Sequence, residues 1–234
     1  MNILICTIKS WNIAKAKDFI KKYSSDHNVM LITEKDDLSR AFLSKYAPDY
    51  IFFPHWSYFI PSEIYEMYNC VVFHMTDLPF GRGGSPLQNL ISRGIYQTKI
   101  TAIKVSNGLD TGPVYLKRDL DISFGSATDI FTRASDIIFN DMIPFIIQNT
   151  PEPVPQEGEP TIFKRRTPSE SELQSDFSLV KIYDYIRMLD GEGYPNAYLK
   201  FGNTKLVFRD AKINEENNVT AVVEFIENGE DLDA

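Results

Sequence analysis

The sequence predicts an α/β protein: a Rossmann-like, mostly parallel sheet flanked by helices, followed by a small C-terminal α+β or β appendage. Three observations carry that expectation. Short β-branched apolar runs alternate with longer amphipathic ones through the first third of the 234 residues, the order in which parallel strands are separated by crossover helices. A proline-rich stretch from Asn149 to Pro160, NTPEPVPQEGEP, can continue neither helix nor sheet, because each proline fixes φ and removes a donor. Beyond it, one helical pattern is followed by three strand-like runs.

In chain order, the apolar runs predict strands at Asn2 to Thr7, Asn28 to Thr33, Tyr50 to Phe53 and Cys70 to Met75. The amphipathic runs between them predict helices at Asn12 to Tyr23, Asp36 to Tyr46 and Ser62 to Tyr68, with another from Pro86 to Ser92 after Ser85 as N-cap. Thr101 to Val105 and Val114 to Leu120 read as a strand pair around the turn-rich Ser106 to Pro113. A long helix from about Ala127 to Ile147 carries Ile130, Phe131, Ala134, Ile137 and Ile138 at helical spacing, a core-packing stripe. After the proline-rich stretch come a helix at Leu179 to Leu189 and strands at Ala197 to Phe201, Lys205 to Phe208 and Val219 to Phe225. The expected divisions are a domain over 1–150, a linker over 151–160 and a small domain over 161–234, with the polar Asn228 to Ala234 frayed.

Composition narrows the functional classes. Hydrophobic residues make up 43% and charged residues 24%, which fits a globular chain and not a disordered or fibrous one. The N-terminal MNILICTIKSW lacks a basic leader and a cleavage pattern, and no later run is long enough to span a bilayer, so a cytoplasmic location is expected. Cys6 and Cys70 both fall in predicted buried strands, which suggests neither a disulfide framework nor a zinc site. A net charge of -8 and a pI near 5.0 argue against general affinity for phosphate backbones. The nearest candidate for a local basic patch, Lys164, Arg165 and Arg166, reads as a solvated loop. Asn218-Val219-Thr220 matches a glycosylation acceptor that a cytoplasmic chain would not use.

The sequence contains neither a G-x-G-x-x-G opening its first helix nor a G-x-x-x-x-G-K-[ST] loop, so the α/β pattern must bind something other than the usual nucleotides. Nor does it contain a G-x-S-x-G nucleophile elbow. The informative stretch is Phe73-His74-Met75-Thr76-Asp77-Leu78-Pro79-Phe80-Gly81-Arg82-Gly83-Gly84-Ser85-Pro86, directly after a predicted strand. A histidine at a strand's carboxyl end, facing a glycine-rich loop, sits where open α/β sheets bind ligands. Gly81, Gly83 and Gly84 permit backbone conformations and a close ligand approach that a Cβ would obstruct. Asp110, in the turn Ser106-Asn107-Gly108-Leu109-Asp110-Thr111-Gly112, would stabilise an imidazolium if it lay near His74. Taken singly, each also reads as structural: a histidine beside a tight turn, and an aspartate bonding its own backbone. His55 and Trp56 could line a pocket for a planar ligand or simply pack, and His27 reads as a loop residue.

Together the two segments resemble the folate-dependent formyltransferases, a family that includes the methionyl-tRNA, glycinamide ribonucleotide and sugar N-formyltransferases. The family's strand ends in Asn-x-His, followed by Leu-Pro-x-x-Arg-Gly-x-x-Pro and later Gly-Leu-Asp-Thr-Gly. Here these correspond to His74, Leu78 to Pro86, and Gly108 to Gly112. Past the linker, Phe163 to Pro168, Ile186 to Asp190 and Tyr194 to Ala197 look like the post-catalytic region of the methionyl-tRNA and sugar enzymes. One departure is marked: the family's catalytic Asn falls on Val72, which cannot donate a hydrogen bond. The candidates to replace it are a backbone N–H of the glycine-rich loop, His55 and Asn69; without a substitute, catalysis is slow or lost.

The resemblance implies a metal-free N-formyltransferase in which an amine attacks the formyl carbonyl of N10-formyltetrahydrofolate, with His74 handling the proton and Asp110 orienting and charging the ring. It assigns the folate to Tyr58, Phe59, Ile60 and Ser106, Asn107, Gly108, Leu109 and Asp110, and the acceptor to Gly81, Arg82, Gly83 and Gly84. Within the family, the acidic balance and short ending fit a nucleotide-linked amino sugar better than methionyl-tRNA, and the resemblance is to enzymes acting on a 4-amino-4,6-dideoxy sugar of the kind used for surface glycans. It implies a homodimer paired through Ile182, Tyr183, Ile186 and Leu189, with an intramolecular core as the equal alternative for those four. On this reading neither membrane nor nucleic acid is a partner. The alternatives are methionyl-tRNA or another amine as acceptor, or a non-catalytic folate- or nucleotide-sugar-binding relative that lost the Asn.

Overall fold

A computed structural model describes residues 1–216 and 218–227; Asn228 to Ala234, expected to fray, lie outside the described residues. The chain opens with β1 (Asn2–Cys6), α1 (Ser10–Tyr23), β2 (Asn28–Ile32), α2 (Arg40–Tyr46), β3 (Tyr50–Phe53), α3 (Ser62–Tyr65) and β4 (Cys70–His74). β1 pairs in parallel with β2 and β3, and β3 pairs in parallel with β4. β1 and β3 are apolar at nearly every position because both faces of a parallel sheet are covered, and Ile3, Leu4, Ile5, Ile51 and Phe52 are fully buried. A short β5 (Arg82–Gly83) and α4 (Pro86–Ile91) precede β6 (Gln97–Lys104) and β7 (Val114–Asp121). β6 runs antiparallel to β4, giving a six-stranded order β2-β1-β3-β4-β6-β7. The Rossmann-like expectation is met.

The long helix expected over Ala127 to Ile147 is interrupted. It runs as α5 (Ala127–Ile137), a π-helical turn (Ile138–Met142) and α6 (Ile143–Asn149). Pro144 has no N–H to return to the preceding turn and its ring crowds the carbonyl there, a conflict that a wider turn relieves. The apolar periodicity survives the interruption, which is why it did not show in the pattern.

The chain divides into two compact units, one of residues 1–86, 98–120 and 131–163, the other of 87–97, 121–130 and the chain from 164. In the first, the proline-rich stretch is tied down at Val154 and Gln156. Val154 exchanges two backbone hydrogen bonds with Val114, at 2.7 and 2.9 Å. β8 (Ile162–Phe163) pairs in parallel with β5.

The second unit contains α7 (Leu179–Leu189), whose Ser178 cap accepts from the Lys181 N–H. It also contains an antiparallel sheet β11-β10-β9, formed by β9 (Ala197–Phe201), β10 (Thr204–Ile213) and β11 (Val219–Glu227). This is the expected α+β appendage. Ile186 and Leu189 are only 1% and 2% exposed within the chain itself, so packing inside it, and not pairing of two subunits, accounts for them. Among the described residues no helix is long and apolar enough to cross a membrane.

Candidate active site

His74 ends β4 and is 8% exposed. Its Nε2 lies 2.8 Å from the carbonyl oxygen of Gly81. A carbonyl oxygen only accepts, so Nε2 carries a hydrogen, and Nδ1 is left as the ring atom able to exchange a proton. Nδ1 is 3.5 Å from Oδ2 of Asp110, and that same oxygen accepts the Gly83 N–H at 2.9 Å. The two segments singled out in the sequence therefore meet, with the glycine-rich loop bonded to both side chains.

The expected need for glycine backbone conformations is seen at Gly81 and Gly83. A Cβ on Gly81 would stand 2.6 Å from the Phe163 ring, and one on Gly83 would stand 2.4 Å from the Phe163 carbonyl oxygen, with both residues at positive φ. A close approach is thus made by β8 of the same chain.

Val72 points to the same face of β4 as His74, two residues on, and packs against Leu78, Ile103 and Val114. The side chains and loop amides named as substitutes for the missing donor all have partners within the chain. Asn69 precedes β4 at its far end and donates to the Asp49 carbonyl. The His55 ring meets Trp11 and Phe131 edge-on. In the loop, the Gly81 N–H donates to Thr161 Oγ1, Arg82 to the Thr161 carbonyl, Gly83 to Asp110 and Gly84 to the Phe163 carbonyl.

The segments assigned to folate suit a flat, largely apolar ring with polar edges. Tyr58, Phe59 and Leu109 are 42%, 84% and 69% exposed, and apolar surface left uncovered on loops is what such a ring would cover. Ile60 belongs to an apolar cluster against which Val105, next to the second segment, also packs. Ile60 itself is buried and can offer a ligand only its backbone. Within the second loop the Thr111 hydroxyl donates to the Asn107 carbonyl and lies 3.4 Å from Ser106 Oγ, while a Cβ on Gly108 would fall 2.7 Å from Thr111 Oγ1.

Sequence reasoning missed Gln156, Thr161 and Phe163, which it placed in a linker and the start of a second domain. Gln156 accepts from Arg82 and donates to the carbonyls of Asp110 and Gly112. A single glutamine among prolines has no periodicity to reveal that role.

Residues 10–134 match the family model described as formyl transferase, and residues 168–226 match the methionyl-tRNA formyltransferase C-terminal domain. A methionyl-tRNA formyltransferase structure from Clostridium thermocellum is 58% identical, with a TM-score of 0.94, over 97% of this chain and 99% of that one. A curated methionyl-tRNA formyltransferase from Francisella philomiragia is 26% identical over 91% of this chain and 71% of its own length. One from Bacillus thuringiensis is 29% identical over 71% of this chain, which spans only 54% of that relative.

These matches overturn the nucleotide-sugar acceptor. A Shewanella sugar N-formyltransferase is 13% identical with a TM-score of 0.66, a likeness of fold alone. The match covers 99% of the Clostridium chain, so length does not favour a sugar over methionyl-tRNA. Net charge misled as well, because it sums over the whole surface and says nothing of one face. The formyl donor of the family is N10-formyltetrahydrofolate, as the resemblance implied. Since the family model spans more than half of the sequence, and the Clostridium structure nearly all of it, this chain belongs to the formyl transferase family.

Proposed function

We propose that this chain transfers the formyl group of N10-formyltetrahydrofolate to the amino group of methionyl-tRNA. The observation that carries the reading is the 58% identity, end to end, with a protein of that name; the C-terminal domain match over 168–226 supports it. On this reading the catalytic domain expected over 1–150 continues through the expected linker, 151–160, to Phe163, and the chain from 164 belongs to the smaller C-terminal domain, in a cytoplasmic enzyme. Lys164 and Arg165 are exposed and supply cations for phosphate contacts that the overall charge of the chain does not advertise.

In the mechanism we assign, the acceptor nitrogen bonds to the formyl carbon and the carbonyl becomes a tetrahedral oxyanion. The amine's proton passes to Nδ1 of His74, whose cationic form the Asp110 carboxylate stabilises. The bond from the formyl carbon to N10 then breaks and N10 takes a proton, regenerating the imidazole and releasing tetrahydrofolate. Tyr58, Phe59, Ile60 and Ser106 to Asp110 hold the folate, and Gly81 to Gly84 with Arg82 face the acceptor.

The test is release of tetrahydrofolate from N10-formyltetrahydrofolate with charged initiator methionyl-tRNA. Turnover that depends on the tRNA and on His74 supports the assignment. Folate binding without turnover on methionyl-tRNA would refute it and favour a binding protein that lost its oxyanion donor at Val72.

A further inference from the structure

We propose that Gln156 is a positioning residue of the transfer site, clasping the glycine-rich loop to the Asp110 loop; the proposal rests on the formyltransferase reading above. Its Oε1 accepts from Arg82 Nε at 3.1 Å and Nη2 at 2.7 Å, while its Nε2 donates to the carbonyls of Asp110 and Gly112, each at 2.8 Å. The four bonds use both lone pairs and both hydrogens of the amide. They also fix which end is which, because a guanidinium only donates and a carbonyl only accepts.

The site needs such a clasp because of strand direction. β6 runs back along β4, with His74 opposite Thr101 and Val71 opposite Lys104. The loop after Lys104 therefore starts three residues, about 10 Å, from His74 along the strand. To bring its carboxylate to His74 the loop must fold back, with Asp110 left-handed at φ 54. Gln156 holds the carbonyls on either side of Thr111 and so fixes that return. Gln156 is itself anchored on both sides, by Val154 on Val114 and by Thr161, whose hydroxyl accepts the Gly81 N–H at 2.7 Å. The segment from Val154 to Phe163 is a strap laid across both catalytic loops.

The choice of an amide matters. A glutamate would keep its contact with Arg82, but it would lose the donor and present an anion to two carbonyl oxygens. A methionine would keep the volume and lose every bond.

The experiment compares Gln156→Met and Gln156→Glu with the wild-type full chain. It measures formyl transfer to methionyl-tRNA, the thermal midpoint, and amide hydrogen exchange over Gly81 to Gly84 and Gly108 to Gly112. Both substitutions are expected to lower kcat by about tenfold or more, since small misplacements of catalytic groups are costly. KM for the folate should stay within about threefold, as for loss of a contact that acts in the transition state. Exchange should quicken in the two loops and not in β1 to β4. Wild-type loop exchange in both variants would overturn the clasp, whatever their activity. Faster loop exchange beside a wild-type protein inactive on methionyl-tRNA would keep the clasp and sink the acceptor reading instead.

Discussion

Oδ2 of Asp110 stands 3.5 Å from Nδ1 of His74 and accepts the Gly83 N–H at 2.9 Å, so one carboxylate oxygen joins the imidazole to the glycine-rich loop. Asp110→Asn separates charge from geometry. Its amide oxygen can still take the Gly83 N–H, and asparagine tolerates the left-handed φ of 54, but the charge that stabilises the imidazolium is gone. The expected result is a fall in kcat of about 10²-fold or more with the thermal midpoint nearly unchanged. His74→Ala should cost about 10²–10⁴-fold. Steady-state kinetics alongside thermal unfolding check both; wild-type turnover in either variant would remove that residue from the mechanism.

Val72→Asn tests the departure from the family pattern. Restoring a donor two residues before His74 should raise kcat by about tenfold or more, since one oxyanion donor is worth about 2.7–4 kcal/mol elsewhere. The same change sets an amide among Leu78, Ile103 and Val114, at a cost of about 1–3 kcal/mol of stability. A faster, less stable enzyme is the expected outcome. An unchanged kcat would mean that another group already holds the oxyanion.

Most of the fold was legible because strand runs such as NILIC and YIFF are apolar at consecutive positions, the mark of a sheet covered on both faces. His74 and Asp110 were legible because each ends or follows such a run beside glycines. The strap was not. Residues such as Val154, Gln156 and Thr161 act through hydrogen bonds to loops that lie far away in sequence, and prolines around them read locally as a linker. The acceptor was not legible either, since charge balance and chain length are properties of the whole molecule.

The two thiols give a prediction in pH. Cys6 and Cys70 are fully buried. Burial disfavours the thiolate, raising Cys6 well above its ordinary value and pushing Cys70 from 9.0 up to about 12. Both folded values lie above the unfolded ones, so their contribution to stability is fully present below pH 9.0 and is lost as pH rises toward about 12. Ellman's reagent at pH 8 should find almost no reactive thiol until denaturant is added. Rapid labelling of two thiols in the folded protein would contradict that burial.

Arg187 fixes the interior of the second unit and should dominate its stability. It is 1% exposed, donates from Nε to Asp184 Oδ1 at 2.7 Å, and bonds the Ile122 and Gly125 carbonyls through Nη1. The other oxygen of Asp184 accepts from the Tyr96 hydroxyl at 2.6 Å, a bond that helps push the Tyr96 phenol up to about 12. Arg187→Met would leave Asp184 a buried carboxylate without its cation, at a cost of about 3–5 kcal/mol. Replacing both, as Arg187→Met with Asp184→Leu, removes the stranded charge and should cost less than Arg187→Met alone. Urea unfolding of the two variants decides the matter. If the double variant were the less stable one, the bonds to Ile122, Gly125 and Tyr96 would outweigh the ion pair.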